Sequence, residues 1–259
     1  MSAASSTASV LAITGLLAEA KVAAGAGIVT VSGGGDATRL EDMLGRHLTN
    51  GAKAVISFGI AGGLAPGLRA GAVVVADSIH DGNTTWAGDP QWRARLLQAL
   101  PQAVRGSIAG VNTALGTAEG KRRLHRASGA LAVDMESHIA ARLAARHGVP
   151  FAALRIIADP AGRTLPHAAL VGMKPDGTAD VGAVLRSLAR RPGDLGALLL
   201  TACDAQAAFA ALRRARRDLS SLLAFTEFGT TAGTDEPDST VPTLGDFGLT
   251  LPEVTAEGA

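Results

Sequence analysis

Apolar positions fall into short β-branched runs that alternate with stretches of helical spacing. Strand-like runs occur at Val10 to Thr14, Ile28 to Val31, Lys53 to Phe58, Ala72 to Ile79, Ser107 to Val111, Ala130 to Val133 and Phe151 to Ala158. Between them, 3.6-residue spacing predicts helices over Leu16 to Ala24, Ala37 to Thr49, Thr117 to Ala127 and Ser137 to His147. A further helix falls between Trp86 and Pro101, begun near the cap-like pair Asp89-Pro90. Ala132 to Pro160 reads as a strand, crossover helix and strand. Such a unit sends both strand ends to one edge of a parallel sheet, where open α/β sheets hold ligands. Two carboxylates, Glu136 and Asp159, would meet there.

The pattern changes after Pro160. Gly162 to Thr178 carries prolines and glycines and is expected to be a mobile loop over the site. Two helices follow, Val181 to Arg190 and Leu195 to about Leu223. From Thr226 the chain loses hydrophobic periodicity and is read as a disordered tail. The expected organisation is one domain over residues 1–225, of which 165–225 form a helical extension, and a tail over 226–259. At 259 residues, the chain has enough core to fold without staples.

Composition narrows the function. A net charge of +1 gives no global field towards nucleic acid, and 3% aromatics leave few rings for stacking on bases. The basic clusters Lys121-Arg122-Arg123 and Arg213 to Arg217 are read as solvated helix faces. A single cysteine, Cys203, excludes a disulfide framework and a cysteine zinc site, and a reducing cytoplasm is expected. Apolar runs are cut by Gly, Asp or Arg short of the roughly 18 residues of a membrane span, although a peripheral membrane helix stays open.

The glycine-rich turns follow strands. Gly33, Gly34 and Gly35 precede a helix, where converging amides form a candidate anion site. They lack the spacing of a dinucleotide fingerprint. Gly59, Gly62 and Gly63 imply close approach of the backbone to a helix or ligand. Asp159, preceded by Ile157 and Ala158, is expected in apolar surroundings that raise its pKa, which suits a general acid. Glu136, at a helix start, is expected to stay an anion in the helix dipole. One acid and one anion suit cleavage through an oxocarbenium-like state.

Three runs resemble signatures of the nucleoside phosphorylase and methylthioadenosine nucleosidase superfamily. They are Ser57-Phe58-Gly59-Ile60-Ala61-Gly62-Gly63-Leu64, Val133-Asp134-Met135-Glu136-Ser137, and Arg155-Ile156-Ile157-Ala158-Asp159. The stretch from Leu165 to Leu223, with the opening Thr14 to Ala20, looks most like the bacterial hopanoid-associated phosphorylase branch. The resemblance implies an α/β fold, a three-layer α/β/α sandwich with a mixed, partly closed central sheet. It implies Asp159 as the acid at purine N7, Glu136 as the carboxylate on the ribose hydroxyls, and Met135 beneath the ribose. Ala61, Gly62, Gly63 and Arg155 are implied in substrate binding, and Glu19 sits where hydrolytic members activate water.

The implied substrate is adenosylhopane, a purine nucleoside with a lipid 5′ substituent, cleaved to adenine and a ribosyl or phosphoribosyl hopane without metal or organic cofactor. Inorganic phosphate stays open as co-substrate, and a homo-oligomer is implied. Two residues depart from the family pattern, Ile60 in the third-strand motif and Ala158 in place of the usual Ser before the acid. A methylthioadenosine or adenosylhomocysteine nucleosidase, or a non-catalytic nucleoside- or lipid-binding protein on the same fold, are the competing readings.

Overall fold

The computed structural model describes residues 10–171 and 180–219. These all belong to one compact unit, Met1–Thr226. The expected tail over 226–259, the last residues of the final helix and residues 172–178 of the expected loop lie outside the described residues.

Eight strands form one mixed sheet: β1 (Val10–Thr14), β2 (Ile28–Ser32), β3 (Ala54–Gly63), β4 (Val73–His80), β5 (Thr85–Ala87), β6 (Val104–Gly110), β7 (Ala132–Asp134) and β8 (Phe151–Asp159). The helices are α1 (Leu17–Ala23), α2 (Ala37–Thr49), α3 (Pro90–Ala99), α4 (Ala118–Ser128), α5 (Ser137–Arg146), α6 (His167–Val171), α7 (Val181–Arg190) and α8 (Leu195–Asp218). β1 pairs in parallel with β2 on one side and β3 on the other. Because parallel crossovers are right-handed, the reversal of direction at β1 sends α1 and α2 to opposite faces of the sheet. α2 then packs on α5, and α1 on α8. The result is an α/β/α arrangement on a mixed sheet, with Leu11, Ile13, Leu40, Leu44, Val55 and Ile139 in its core.

The sheet forks at β3. β1 occupies one edge of β3 only as far as Ser57, and β7 takes the same edge at Gly62 and Gly63, antiparallel. The other edge carries β8 in parallel, and β8 pairs antiparallel with β4. β4 pairs with β6 and β6 with β7, so β3, β8, β4, β6 and β7 close into a ring. The gap between the end of β1 and the start of β7 on that shared edge opens a crevice at the carboxyl end of β3. Ligands collect where neighbouring strands part in this way.

This topology corrects two expectations. β7 and β8 are not parallel neighbours: each pairs with β3, one antiparallel and one parallel. The two carboxylates still meet, because both strands end at the crevice. The helix expected to begin near Asp89-Pro90 does so, at Pro90 with Asp89 as its cap, and Trp86 before it lies in the edge strand β5, paired with Ile79. The stretch after Pro160 carries a helix, α6, where a loop was expected.

By length and composition alone, Pro192–Asp218 contains an 18-residue window apolar enough to cross a membrane. Interrupted apolar runs had argued against any such segment. Here its C-terminal half packs on β8 and buries Ala208, Ala211, Leu212 and Ala215, while Arg216 donates to the carbonyls of Ala23 and Ala24.

At the end of β6, a Cβ on Gly110 would stand 2.3 Å from Cβ of His138 on α5, whereas one on Gly45 in α2 would meet nothing within 4 Å. Gly110→Ala is therefore expected to cost about 1–3 kcal/mol through forced displacement of α5. Gly45→Ala is expected to gain roughly 0.5–1 kcal/mol from helix propensity. Denaturant midpoints of the two variants, read against the parent, check the opposite signs.

Candidate active site

A cleft of about 180 Å³ fills the crevice. Its walls come from the turn after β1 (Gly15, Leu16, Glu19), the end of β3 (Ile60, Ala61, Gly62), the end of β7 (Val133 to Glu136) and the end of β8 (Ala158, Asp159). Val111, Ala114, Leu115 and Leu165 add an apolar side.

Beneath the cleft lies Arg155, fully buried in the centre of β8. Its Nε stands 2.6 Å from Asp134 Oδ2, and its Nη2 is 3.4 Å from Glu136 Oε2 and donates to Ser57 Oγ at 2.6 Å. Nη1 donates to the Ile60 carbonyl, and Ser137 Oγ accepts from Nε and Nη2. Arg155, which the resemblance implied in substrate binding, is not among the residues that line the cleft and stands behind its carboxylates.

Asp134 caps α5. Its Oδ1 accepts from the amides of Glu136 and Ser137, and its Oδ2 from the Ser137 hydroxyl. Asp134 thus takes the first amide of α5, and the Glu136 side chain, expected to be steadied as an anion by the helix start, makes no cap bond. Burial, opposed by Arg155 and reinforced by the like charges of Asp134 and Glu19, pushes the Glu136 carboxyl up to about 7.

Glu19 enters from the first turn of α1. Its Oε2 accepts from the amides of Gly15 and Leu16, each at 2.8 Å, and its Oε1 from the Ile60 amide at 2.7 Å. Burial raises its pKa, against the lowering effect of Arg155 and those three amides. A buried carboxyl beside the crevice, with its proton held harder than usual, is a competent base for water.

Asp159 follows a bulge in which Ala158 is the unpaired residue, since Ala61 faces Ile157 and Gly62 faces Asp159. The bulge turns the Asp159 side chain into the cleft beside Gly62. Burial raises its pKa, as its apolar flanks suggested, but a cation opposes that rise: Lys121 of α4 pairs with Oδ2. Lys121 is wholly buried, while Arg122 and Arg123 are exposed, so the reading of that cluster as one solvated face fails at its first residue. Lys121 shares helical phase with Leu124 and Ser128, which is the signal that placed it inward.

Met135, Ala61 and Gly62 line the cleft as expected, together with Glu19, Glu136 and Asp159. Gly63 does not: a Cβ there would stand 3.1 Å from Cγ2 of Ile157. The proposed anion turn also fails. The amides of Gly33 and Gly34 donate to the carbonyls of Thr14 and Gly15, tying β2 to β1, and only Gly35 reaches the main cleft. Asp134 and Lys121 are the two polar residues of the site that the sequence reading left without a role. Among the described residues, no group of three or more His, Cys, Asp or Glu side chains is placed to hold a metal ion.

Residues 9–201 match the family model described as the phosphorylase superfamily. A futalosine hydrolase of Streptomyces coelicolor is 35% identical over 127 residues, which is 42% of this chain and 54% of the relative, so the chain spans about half the length of that curated protein. Among solved structures, the S-adenosylhomocysteine nucleosidase of Streptococcus pyogenes superposes with a TM-score of 0.58 at 18% identity, over 83% of this chain and 95% of the other. The futalosine hydrolase of Helicobacter pylori gives 0.55 at 16% identity, over 70% and 97%. The two structures share the fold with this chain. With three-quarters of its length inside one family model, the chain belongs to the phosphorylase superfamily.

Proposed function

We propose that this protein hydrolyses the N-ribosidic bond of a purine nucleoside. Asp159 hands a proton to N7 of the leaving base, Glu136 accepts from the ribose hydroxyls and offsets the positive charge growing on the sugar, and Glu19 takes a proton from the attacking water. The observation that carries this reading is the convergence of Glu19, Glu136 and Asp159 on one cleft from the ends of three different strands. Their surroundings differ as the roles require: three amides on Glu19, Arg155 behind Glu136, Lys121 beside Asp159.

Water is favoured over phosphate by charge. Among the described residues lining the cleft there are four carboxylates and no Lys, Arg or His. The two cations behind them, Arg155 and Lys121, are already paired with acids. A phosphate dianion would find no free cation on the described wall of the cleft to pair with, whereas a neutral water needs none.

For the substrate we adopt adenosylhopane, on the resemblance to the hopanoid-associated branch, with adenine as the base released. An apolar 5′ substituent needs apolar cover, at about 0.8 kcal/mol per buried methylene. Leu115, Val111 and Leu165 offer the first of it, and Leu165 leads into α6, which packs on α7 and α8. On those helices Leu185, Leu195, Leu199 and Leu200 are exposed, flanked by exposed Arg186, Arg190 and Arg191, a pattern suited to resting on an anionic membrane surface. The same reading has the enzyme working without metal or organic cofactor, as a homo-oligomer in the cytoplasm. The 35% identity to a futalosine hydrolase supports a second reading, futalosine or a related nucleoside as substrate.

Purified protein offered adenosylhopane, methylthioadenosine, adenosylhomocysteine and futalosine, with and without phosphate, tests both parts. The expected result is phosphate-independent release of adenine from adenosylhopane and a free ribosyl product by mass. A 1-phosphate product would sink the hydrolytic assignment, and turnover of futalosine alone would replace the substrate. Asp159→Asn and Glu19→Gln are each expected to lose at least about a hundredfold in kcat.

Glu136 must be a carboxylate to accept from the sugar. With its pKa at about 7, binding of a non-hydrolysable adenosine analogue should weaken as pH falls below neutrality and level off above it. Calorimetric titration between pH 5.5 and 8.5 checks this, and Glu136→Gln should bind more weakly and without the acid limb.

A further inference from the structure

The sequence lacks the serine that the family pattern leads one to expect before the acid, and Ala158 cannot orient Asp159 by a hydrogen bond. The structure puts another donor on that carboxylate. Lys121 reaches it from the fourth position of α4, a helix whose N-terminus is tied to the segment after β8. Thr164 Oγ1 accepts from the Ala118 amide, and the Leu165 amide donates to the Gly116 carbonyl. The Lys121 ammonium has no exposed surface, and besides Asp159 Oδ2 it donates to the carbonyls of Asp159 at 3.3 Å, Pro160 at 3.1 Å and Arg163 at 3.0 Å. Its three hydrogens are thus shared among four acceptors, one of them the carboxylate. A buried ammonium is costly unless paired, so its seat beside one cleft carboxylate needs an account.

We propose that Lys121 is a positioning residue that acts through Asp159, fixing Oδ2 so that Oδ1 faces the purine and stabilising the carboxylate that Asp159 becomes when it gives up its proton. This rests on the hydrolytic reading above and deepens it. In the step concerned, the Asp159 O–H bond breaks and the N7–H bond forms while the C1′–N9 bond breaks, its electron pair passing to the purine. The water oxygen then bonds to C1′, and its proton goes to Glu19. Asp159 is left anionic next to an ammonium that was already in place, so no reorganisation accompanies the transfer. Solvent later returns the proton.

Three charged groups face Asp159: Lys121 from α4, Arg163 from the segment after β8, and Asp204 from α8. Arg163 is itself paired with Asp204, with Nη2 at 2.7 Å and Nε at 2.8 Å from Oδ2. The two cancel in large part, and Lys121 is the cation that touches. Removing it leaves burial unopposed, and the acid should then hold its proton to higher pH.

The test is the pH profile of kcat/KM for the parent, Lys121→Met and Lys121→Arg. Lys121→Met is expected to lose at least about tenfold at the optimum and to move the alkaline limb up by about one pH unit or more. Lys121→Arg keeps the charge and should hold the limb at its original pH even where the rate recovers only in part. A purely structural lysine would lower the rate without moving the limb, and that result overturns the proposal, as does an arginine variant shifted as far as the methionine one. An NMR titration of the parent needs neither variant nor turnover. The Lys121 side-chain resonances should follow the ionisation of Asp159, and Asp159→Asn should abolish that inflection. Its absence in the parent overturns the pairing. A coupled titration in a protein that hydrolyses no nucleoside would leave the pairing standing and remove the assigned reaction.

Discussion

One guanidinium holds the site together. Arg155 lies in the middle of a strand buried on both faces, where an unpaired charge would cost several kcal/mol. The charge is met by two carboxylates at unequal range, Asp134 at 2.6 Å and Glu136 at 3.4 Å. The closer acid serves structure, since it also caps α5 and takes the Ser137 hydroxyl. The looser one faces the cleft, and burial with the like charges of Asp134 and Glu19 outweighs Arg155 and pushes its carboxyl up to about 7. A lysine could not replace this arginine, because the planar fork addresses Asp134, Glu136, Ser57 and the Ile60 carbonyl together.

Space around that charge cluster is made by glycine. A Cβ on Gly59 would fall 2.8 Å from both Arg155 Nη1 and Glu19 Oε1, and one on Gly15 would fall 2.9 Å from Glu136 Oε1. Neither glycine is needed for an unusual backbone angle; each is needed because a side chain from another strand fills its place. The glycine-rich end of β3 announced such a close approach, and what approaches turns out to be the acids themselves. The same crowding explains why the cleft is small and why its polar groups are rigid. Glu19, for instance, is held by the nearby amides of Gly15 and Leu16 and by that of Ile60, 41 residues further along the chain.

What the chain reveals before folding follows from the range of the forces involved. Strand and helix positions are local, and the runs ending at Asp159 and near Glu136 place both acids at strand ends by periodicity alone. The order of strands is not local. Three residues at Ala132–Asp134 look like the first arm of a parallel unit, and only the fork in β3 shows that they run against it. Gly33 and Gly34 show the same limit. Their composition fits an anion cradle, yet their amides are committed to Thr14 and Gly15 because β2 must be tied to β1. Lys121 was hidden by its neighbours: two exposed arginines beside it made the whole run look solvated, although its own phase matched Leu124.

The two departures from the family pattern lose their force once main chain and distant side chains are counted. At Ile60 the side chain only lines the cleft, while its amide serves Glu19 and its carbonyl serves Arg155, so any residue but proline at that position supplies both bonds. At Ala158 the backbone contributes the bulge that aims Asp159, and the hydrogen bond a serine would make comes from α4 instead. A neutral hydroxyl and an ammonium are not equivalent donors. The hydroxyl orients a carboxyl with little preference for its charge, whereas the ammonium favours the ionised form. The exchange therefore changes the electrostatics at Asp159, and it adds a second buried cation behind a cleft whose walls carry four acids. Both cations sit behind the carboxylates they balance, so among the described residues the cleft wall itself presents acids and no basic side chain.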